Sequence, residues 1–310
     1  MIHLATLFDK NYAAKGLALY RSLMQSSKED ITLHVLALDD ETFQALQKVP
    51  TEHMRVTALS EIEDDDRVKK VRSRPWPYFC FSMASIWTKM VIEWTSAVHE
   101  CIEEDGFFFS NHWWGYIDSD CYFFGNIKIA IDELAERGKK VGIVPHRFPA
   151  HDHDRLIPNG KYNVSLILFK DTEGLEALRW WMDKCIEKCD PSTVGDQKYL
   201  DSFHNIFSMT VNIPDPVHDF ISPGIGMAPW NINKYNLHDV GGMAACYDKE
   251  LNSEFAVVFY HFHEFKKHGY RYELTGYPLK NADLEFIYQP YIKAYESAER
   301  ELQNAGLYTN

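Results

Sequence analysis

Apolar and polar positions alternate along the first sixty residues in a way that predicts strand, helix, strand, helix, strand. Residues 3–8 form a short apolar run, and residues 9–12 are a polar turn. Residues 13–24 then place Ala14, Leu17, Ala18, Arg21 and Ser22 on successive helical turns. A second apolar run over 31–38 stops at Asp39-Asp40, residues 42–48 read as helix, and 54–59 as a third strand. This order predicts a parallel sheet with helices on its faces. Residues 64–74 are a charge-rich connector expected to be solvated, with Arg72 or Arg74 reaching a phosphate as the lesser alternative. Residues 78–100 predict a long helix whose Met83, Ile86, Trp87, Met90, Val91 and Trp94 recur at core spacing. Further on, helices are expected at 127–137, where Gly138 stops the first, at 175–189 and from 195 onward. Strands are expected at 141–144, 161–169, 209–213 and 255–262. Residues 214–233 read as an irregular Pro/Gly/Asn-rich excursion, and 284–303 as an amphipathic helix on the outside of the domain.

One apolar stretch breaks this rhythm. Between Tyr116-Ile117 and Cys121-Tyr122-Phe123-Phe124 stand Asp118, Ser119 and Asp120. A buried strand that leaves its sheet at two carboxylates marks the edge where ligands bind in open α/β sheets. Carboxylates are costly among apolar neighbours unless something compensates them. Two hard oxygen donors at that edge suit Mg²⁺ or Mn²⁺, with positions left for phosphate oxygens. Two further polar ends need the same explanation: Asn163 with Asp196 and Gln197, and His261/His263 with Lys266/Lys267. Two carboxylates and one histidine make a three-ligand set for Mn²⁺, and an adjacent lysine supplies a compact charge for a phosphate oxygen. The stretch from Phe148 to Arg155 alternates His151, Asp152, His153 and Asp154. Read as extended, it puts the histidines on one face and the aspartates on the other, and it is expected to form a loop over the site.

Composition narrows the function. The chain has 310 residues, 45% of them hydrophobic, enough for one large α/β domain or two packed halves. Its net charge of −13, without a Lys/Arg cluster, argues against a nucleic-acid surface. No transmembrane span and no signal peptide are read from the sequence. The chain is therefore expected in the cytoplasm, free or peripheral to the inner face of the membrane. Six cysteines are scattered; Cys185 and Cys189 share a helical face without a second pair to complete a zinc site, and free buried thiols are expected. Gly-x-Gly-x-x-Gly and phosphate-loop motifs are lacking, so a nucleotide would be held by strand-end side chains and a metal.

With Tyr116-Ile117-Asp118-Ser119-Asp120, Tyr162-Asn163-Val164-Ser165-Leu166, Gly195-Asp196-Gln197 and Tyr260-His261-Phe262-His263 in this order, the chain resembles the metal-dependent GT-A glycosyltransferases. The glycogenin-like and bacterial lipopolysaccharide-type sugar transferases are the nearest in pattern. The resemblance implies a Rossmann-like mixed, mainly parallel α/β sheet flanked by helices, with a C-terminal helical extension. It implies a domain over 1–270, divided into a nucleotide-binding half (1–124) and a sugar and acceptor half (125–270), with residues 271–310 packed on it. It implies a metal site of Asp118, Asp120 and His261 for Mn²⁺ or Mg²⁺. Donor contacts would come from Thr6, Phe8, Asp118, Ser119 and Lys267, and a sugar-facing set from Asn163, Asp196 and Gln197. The implied reaction moves a sugar from a nucleotide-diphosphate donor, UDP-sugar favoured, to a carbohydrate or lipid-linked saccharide, with retention of configuration, in cell-surface polysaccharide synthesis. Glu264 and His268-Gly269 stand where the glycogenin-like pattern has glycine and Pro-Trp, and Val164-Ser165 where it has Ser-Gly. His261 against His263, and Lys266 against Lys267, therefore stay open. A non-catalytic binding module with the same fold is the alternative. A sugar nucleotidyltransferase is less favoured, because residues 8–12 contain no glycine.

Overall fold

The computed structural model describes residues 1–97, 102–104, 107–208 and 215–308. β1 (Ile2–Phe8) is buried along its whole length. Ile2, Leu4 and Phe8 join one core, and Ala5 and Leu7 the other. That is the period of two that a strand covered on both faces imposes. α1 (Ala13–Ser26), β2 (Ile31–Ala37), α2 (Asp40–Leu46) and β3 (Met54–Ala58) follow as expected, and the three strands run parallel. Asp39 ends β2 and caps α2, its Oδ1 accepting from the Thr42 amide at 2.7 Å.

The charged connector is not all loop: it holds α3 (Asp66–Val71), capped by Asp65, with Val68 and Val71 buried. α4 (Trp76–Ser96) carries the apolar stripe into the second core. There Trp87 donates to the His34 carbonyl at 3.1 Å, and Trp114 to Thr95 Oγ1 at 2.8 Å. Next come β4 (Ile102–Glu104), β5 (Phe107–Phe109), β6 (Trp113–Ile117), β7 (Cys121–Phe123), α5 (Lys128–Glu136) and β8 (Val141–Pro145). They are followed by α6 (Leu156–Asn159), β9 (Tyr162–Phe169), α7 (Asp171–Glu187) and α8 (Phe203–Phe207). The remainder contains β10 (Val217–Asp219), β11 (Ile225–Met227), β12 (Tyr235–Val240), β13 (Met243–Asp248), β14 (Ser253–Ala256), β15 (Phe259–His261), β16 (Lys266–His268) and β17 (Arg271–Glu273). It closes with α9 (Asn281–Asp283), a π turn over Leu284–Tyr288, and α10 (Gln289–Asn304).

The main sheet has seven strands in the order β10-β8-β9-β6-β1-β2-β3, and only β9 runs against its neighbours. Helices on both faces complete the expected α/β architecture. α1, α5 and α10 cover the first core, and α4 and α7 the second. Two expectations change. The excursion over 214–233 contains β10 and β11, and the apolar run 255–262 is two strands in different sheets, β14 with β12 and β13, and β15 between β11 and β7. The strand expected at 209–213 lies outside the described residues. The C-terminal helix is also more than an outer layer. Tyr288 and Tyr291 are fully buried, Tyr291 stacks on Phe262 at 3.6 Å between ring centres, and Glu301 pairs with Arg21 of α1 at 2.6 Å.

Candidate active site

β6 delivers the Asp-x-Asp segment to the carboxyl edge of the sheet. The Asp118 amide donates to the Ser165 carbonyl of β9 at 3.2 Å, and the Cys121 amide to the Asp118 carbonyl at 3.1 Å, which turns the chain out of the main sheet. It re-enters a small sheet as β7, whose Cys121 is registered with His261 of β15. The Phe262 amide then donates to the Asp120 carbonyl at 2.8 Å. This register brings the imidazole to the carboxylates: His261 Nε2 lies 3.1 Å from Asp120 Oδ1 and 3.8 Å from Asp118 Oδ2. One ligand atom from each of Asp118, Asp120 and His261 falls within 4.8 Å of the others, a donor set that can hold a divalent cation. His263 stays at the rim, its side chain 49% exposed.

The electrostatics of the three groups are uneven. Burial pushes the Asp118 carboxyl up, with Asp120 adding to the rise and His261 opposing it. Burial works on Asp120 in the same direction, but His261 and Lys15 hold that carboxyl below the usual range. Burial lowers His261, and Asp120 and Asp118 carry it back above its ordinary value. The imidazole is fixed from behind by Trp230, which meets His261 and His263 edge-on with ring centres 5.5 Å from each. Trp230 Nε1 donates to the His146 carbonyl at 2.9 Å, and Asn231 Nδ2 to the same oxygen at 3.0 Å.

These groups line a cleft of about 710 Å³. Its lining also includes Phe8, Asp9 and Tyr12, Trp76, Tyr78 and Phe81 at the start of α4, and Arg155, Asp196 and Gln197. Asp196 follows Val194 and Gly195, both in the left-handed region at φ 49° and 66°. Its carbonyl accepts from Trp181 Nε1 at 3.0 Å. Burial, reinforced by the charge of Asp118, holds its carboxyl well above the carboxylate range. Its side chain makes no capping bond to the 3₁₀ turn Gln197–Ser202. Gln197 Nε2 donates to the Asn159 carbonyl at 2.8 Å.

The other expected contacts divide between the cleft and its surroundings. Ser119 and Phe8 line the cleft. Thr6 is fully buried in β1, and its Oγ1 has no hydrogen-bond partner among the described residues. Asn163 spans the irregularity between β8 and β9, donating to the Val144 carbonyl at 3.3 Å and accepting from the Ser165 amide at 3.1 Å. Lys267 is bonded to Glu299 of α10, and Lys266 is exposed on β16. Arg74 donates to Ser82 Oγ and to the Cys185 and Ile186 carbonyls, and Arg72 lies over the Phe79 ring. Neither arginine lines the cleft. The His151–Asp154 alternation is helical rather than extended: Ala150–Arg155 is a 3₁₀ turn without buried residues. Its last residue, Arg155, does reach the cleft, where it bonds the Tyr277 hydroxyl. The five described cysteines are free thiols. No described helix is long and apolar enough to cross a membrane.

Sequence reading overlooked Tyr12, Lys15, His146 and Tyr277, while Arg155 ends the stretch expected over the site. Lys15 carried a signal, as an ammonium inside the apolar run 13–19. Its side chain is 8% exposed, and Nζ lies 3.9 Å from Asp120 Oδ2 and 4.2 Å above the Tyr12 ring.

No family model matches the chain. It is 24% identical to the uncharacterized protein YfnF of Bacillus subtilis strain 168 over 300 residues, 92% of this chain and 89% of the relative. It is 25% identical to YfnD of the same organism over 314 residues, 98% and 91% of the two. Among solved structures, an active-site mutant of LgtC superposes with a TM-score of 0.52 at 13% identity, over 95% of each chain. Sheet order, flanking helices and the Asp118-x-Asp120 edge thus agree with one architecture: the chain has the GT-A fold that its sequence resembles.

Proposed function

We propose that the protein is a metal-dependent glycosyltransferase that moves a sugar from a nucleotide-diphosphate donor to a carbohydrate or lipid-linked saccharide. The observation that carries this reading is the convergence of Asp118, Asp120 and His261 within 4.8 Å at the inner end of a large cleft. Two carboxylate oxygens and one imidazole nitrogen fit Mn²⁺ or Mg²⁺, and a cation there would offset the cost of holding two half-buried carboxylates together. Once bound there, such a cation supplies positive charge where a leaving diphosphate develops negative charge. LgtC, whose fold the chain shares, is a galactosyltransferase. UDP-sugar is the donor we favour, on the family resemblance.

The chain's own residues supply the rest. Phe8, Tyr12 and Asp9 form the wall against which a base and ribose would lie, with Ser119 between the two metal-facing carboxylates. Asn163 acts from behind, bonding the ends of β8 and β9, and Thr6 backs the cleft from within β1. Asp196 and Gln197 face the sugar. Burial and the charge of Asp118 raise the Asp196 carboxyl, and its role here is a hydrogen bond to a sugar hydroxyl. Retention is the outcome we favour, on the family resemblance. The acceptor oxygen bonds the anomeric carbon, the bond to the diphosphate breaks with its electron pair, and a leaving-phosphate oxygen takes the acceptor proton. Residues 1–124 would serve the nucleotide, 125–270 the sugar and acceptor, and 271–310 would brace the domain. A role in cell-surface polysaccharide synthesis at the cytoplasmic side of the membrane completes the reading.

The test is a thermal-shift screen of UDP-, GDP-, CDP- and dTDP-sugars with Mn²⁺ or EDTA, followed by donor turnover. One nucleotide class should raise the melting temperature only with Mn²⁺, and Asp120→Ala should abolish turnover while keeping the fold. Full turnover by Asp120→Ala would overturn the site. A wild-type protein indifferent to every donor would favour the non-catalytic module.

A further inference from the structure

We propose that Lys15 is the diphosphate-binding cation of this site, in the role that the resemblance gives to Lys267. The inference rests on the glycosyltransferase reading and concerns a residue that reading does not use. Lys15 lies in the first turn of α1, among Ala13, Ala14, Gly16 and Leu17, all of them buried. An ammonium has three donors to satisfy, and leaving them unmet out of water is costly. Among the described residues Lys15 forms no hydrogen bond; its contact with Asp120 Oδ2 is an ion pair at 3.9 Å, too long for one. Asp120 is moreover shared with His261 at 3.1 Å and belongs to the set that would hold a cation. Its charge is therefore committed elsewhere, and the ammonium, which does not itself line the cleft, sits directly against two residues that do, Asp120 and Tyr12.

The two lysines near the end of β15 do not compete well for the role. Lys267 is held by Glu299 of α10, with both side chains half-buried. Lys266 is exposed on the hairpin of β16 and β17, and although its charge is felt at Lys15, no hydrogen bond or ion pair fixes it toward the cleft among the described residues. The chain also lacks the glycine and Pro-Trp that accompany the lysine in the glycogenin-like pattern, having Glu264 and His268-Gly269 instead. A cation supplied from the first helix accounts for both facts. A compact ammonium suits tetrahedral phosphate oxygens, whichever base the donor carries.

The experiment uses the full chain and compares wild type with Lys15→Met and Lys15→Arg by calorimetric titration. Three titrants are used: MnCl₂ alone, then UDP, GDP, CDP and dTDP, and then the matching nucleoside monophosphates, the nucleotides at saturating Mn²⁺. Lys15→Met removes a positive charge beside Asp120, so Mn²⁺ alone should bind more tightly. Nucleoside diphosphate should bind roughly tenfold to a hundredfold more weakly, and the monophosphate should change much less. Lys15→Arg should keep most of the diphosphate affinity. The diphosphate affinity separates a ligand-binding lysine from one that merely neutralises Asp120. For the latter, Lys15→Met would also tighten Mn²⁺ but leave diphosphate affinity at saturating Mn²⁺ equal to wild type, which would overturn the proposal and leave the glycosyltransferase reading standing. Loss of Mn²⁺ and diphosphate together in Lys15→Met would overturn it too. A wild type that binds Mn²⁺ but no nucleoside diphosphate would sink both. Should Lys15→Met fold poorly, Lys15→Gln keeps a polar side chain and carries the same expectations.

Discussion

Replacing Asp118 by asparagine should make the metal-free protein more stable and at the same time remove its response to Mn²⁺. Asp118 faces two charges. Its ligand oxygen lies within 4.8 Å of that of Asp120, a repulsion of about 3.5 kcal/mol at an effective dielectric near 20. Against this, His261 at 3.8 Å attracts it by at most about 4.4 kcal/mol on the same scale, the value for a protonated imidazole. The two nearly cancel, so desolvation decides. Full burial of a carboxylate costs several kcal/mol, and 29% of this side chain is open to the cleft, which leaves roughly 1–2 kcal/mol. Asparagine keeps the shape and carries no charge to desolvate. In EDTA at about pH 8, Asp118→Asn should therefore melt about 2–5 °C above wild type. The gap has a defined pH course. A carboxyl raised in the folded state costs nothing below its unfolded value, and its full cost appears above the folded one. Variant and wild type should converge as the pH falls to about 4. Saturating Mn²⁺ should stabilise wild type by about 2.7 kcal/mol at a hundredfold excess over its dissociation constant, and the variant hardly at all. A metal-free Asp118→Asn that melts lower than wild type would show the carboxylate to be a structural ion-pair partner of His261. An undiminished Mn²⁺ shift would remove Asp118 from the ligand set.

Two further outcomes probe the frame around the cleft. His204 sits between Asp215 at 2.6 Å and Asp219 at 2.7 Å, and the hydrogen bond to Asp219, with that to Asp215, raises its pKa against burial. Its contribution is fully present below the ordinary histidine value and fades as pH rises through the raised one. His204→Gln should thus melt lower by the equivalent of about 1 kcal/mol near pH 6 and less near pH 9, read from melting curves across that range. Gly195→Ala places a Cβ 2.5 Å from Phe81 Cδ2 at a left-handed backbone position. It should cost roughly 2–3 kcal/mol and displace Asp196, lowering both melting temperature and turnover. Adding Phe81→Ala should recover the steric part alone.

How much of this was legible depended on whether a residue's surroundings are near in the chain. The parallel opening of β1, α1, β2, α2 and β3 could be read because its connections are short and its periods clean. The run over 255–262 could not be divided correctly, because length and apolarity report that a strand is buried and not which sheet it joins; Val257 and Val258 are buried in the passage between two sheets. Asp118 and Asp120 stood out because strands on either side leave them no route to water except the cleft. His261 and His263 are alike in sequence, and it is the pairing of Cys121 with His261 that brings one of them to the carboxylates. Lys267 looked available because its partner, Glu299, lies 32 residues away on another element.

Lys15 shows the same limit from the other side. A charged residue among apolar neighbours drew attention at Asp118 but not in α1, because a helix normally offers a wet face to which a lysine can turn. The stripe of Ala14, Leu17 and Ala18 satisfies a helix packed on a sheet, and position 15 then falls toward solvent. α1 is not packed only on a sheet, however. β7 and α10, contributed from distant parts of the chain, lie against it as well, and Ser22 Oγ of α1 accepts from the Phe123 amide of β7 at 3.0 Å. With those sides closed, residues 13–20 are all buried, and a lysine among them must point at something that merits its charge. The rule that exposed the carboxylates therefore applies equally to the ammonium once the cover is known. Opposite charges held out of water beside one another, with the carboxylates lining the cleft and the ammonium against them, are what an anionic ligand with its own cation would require.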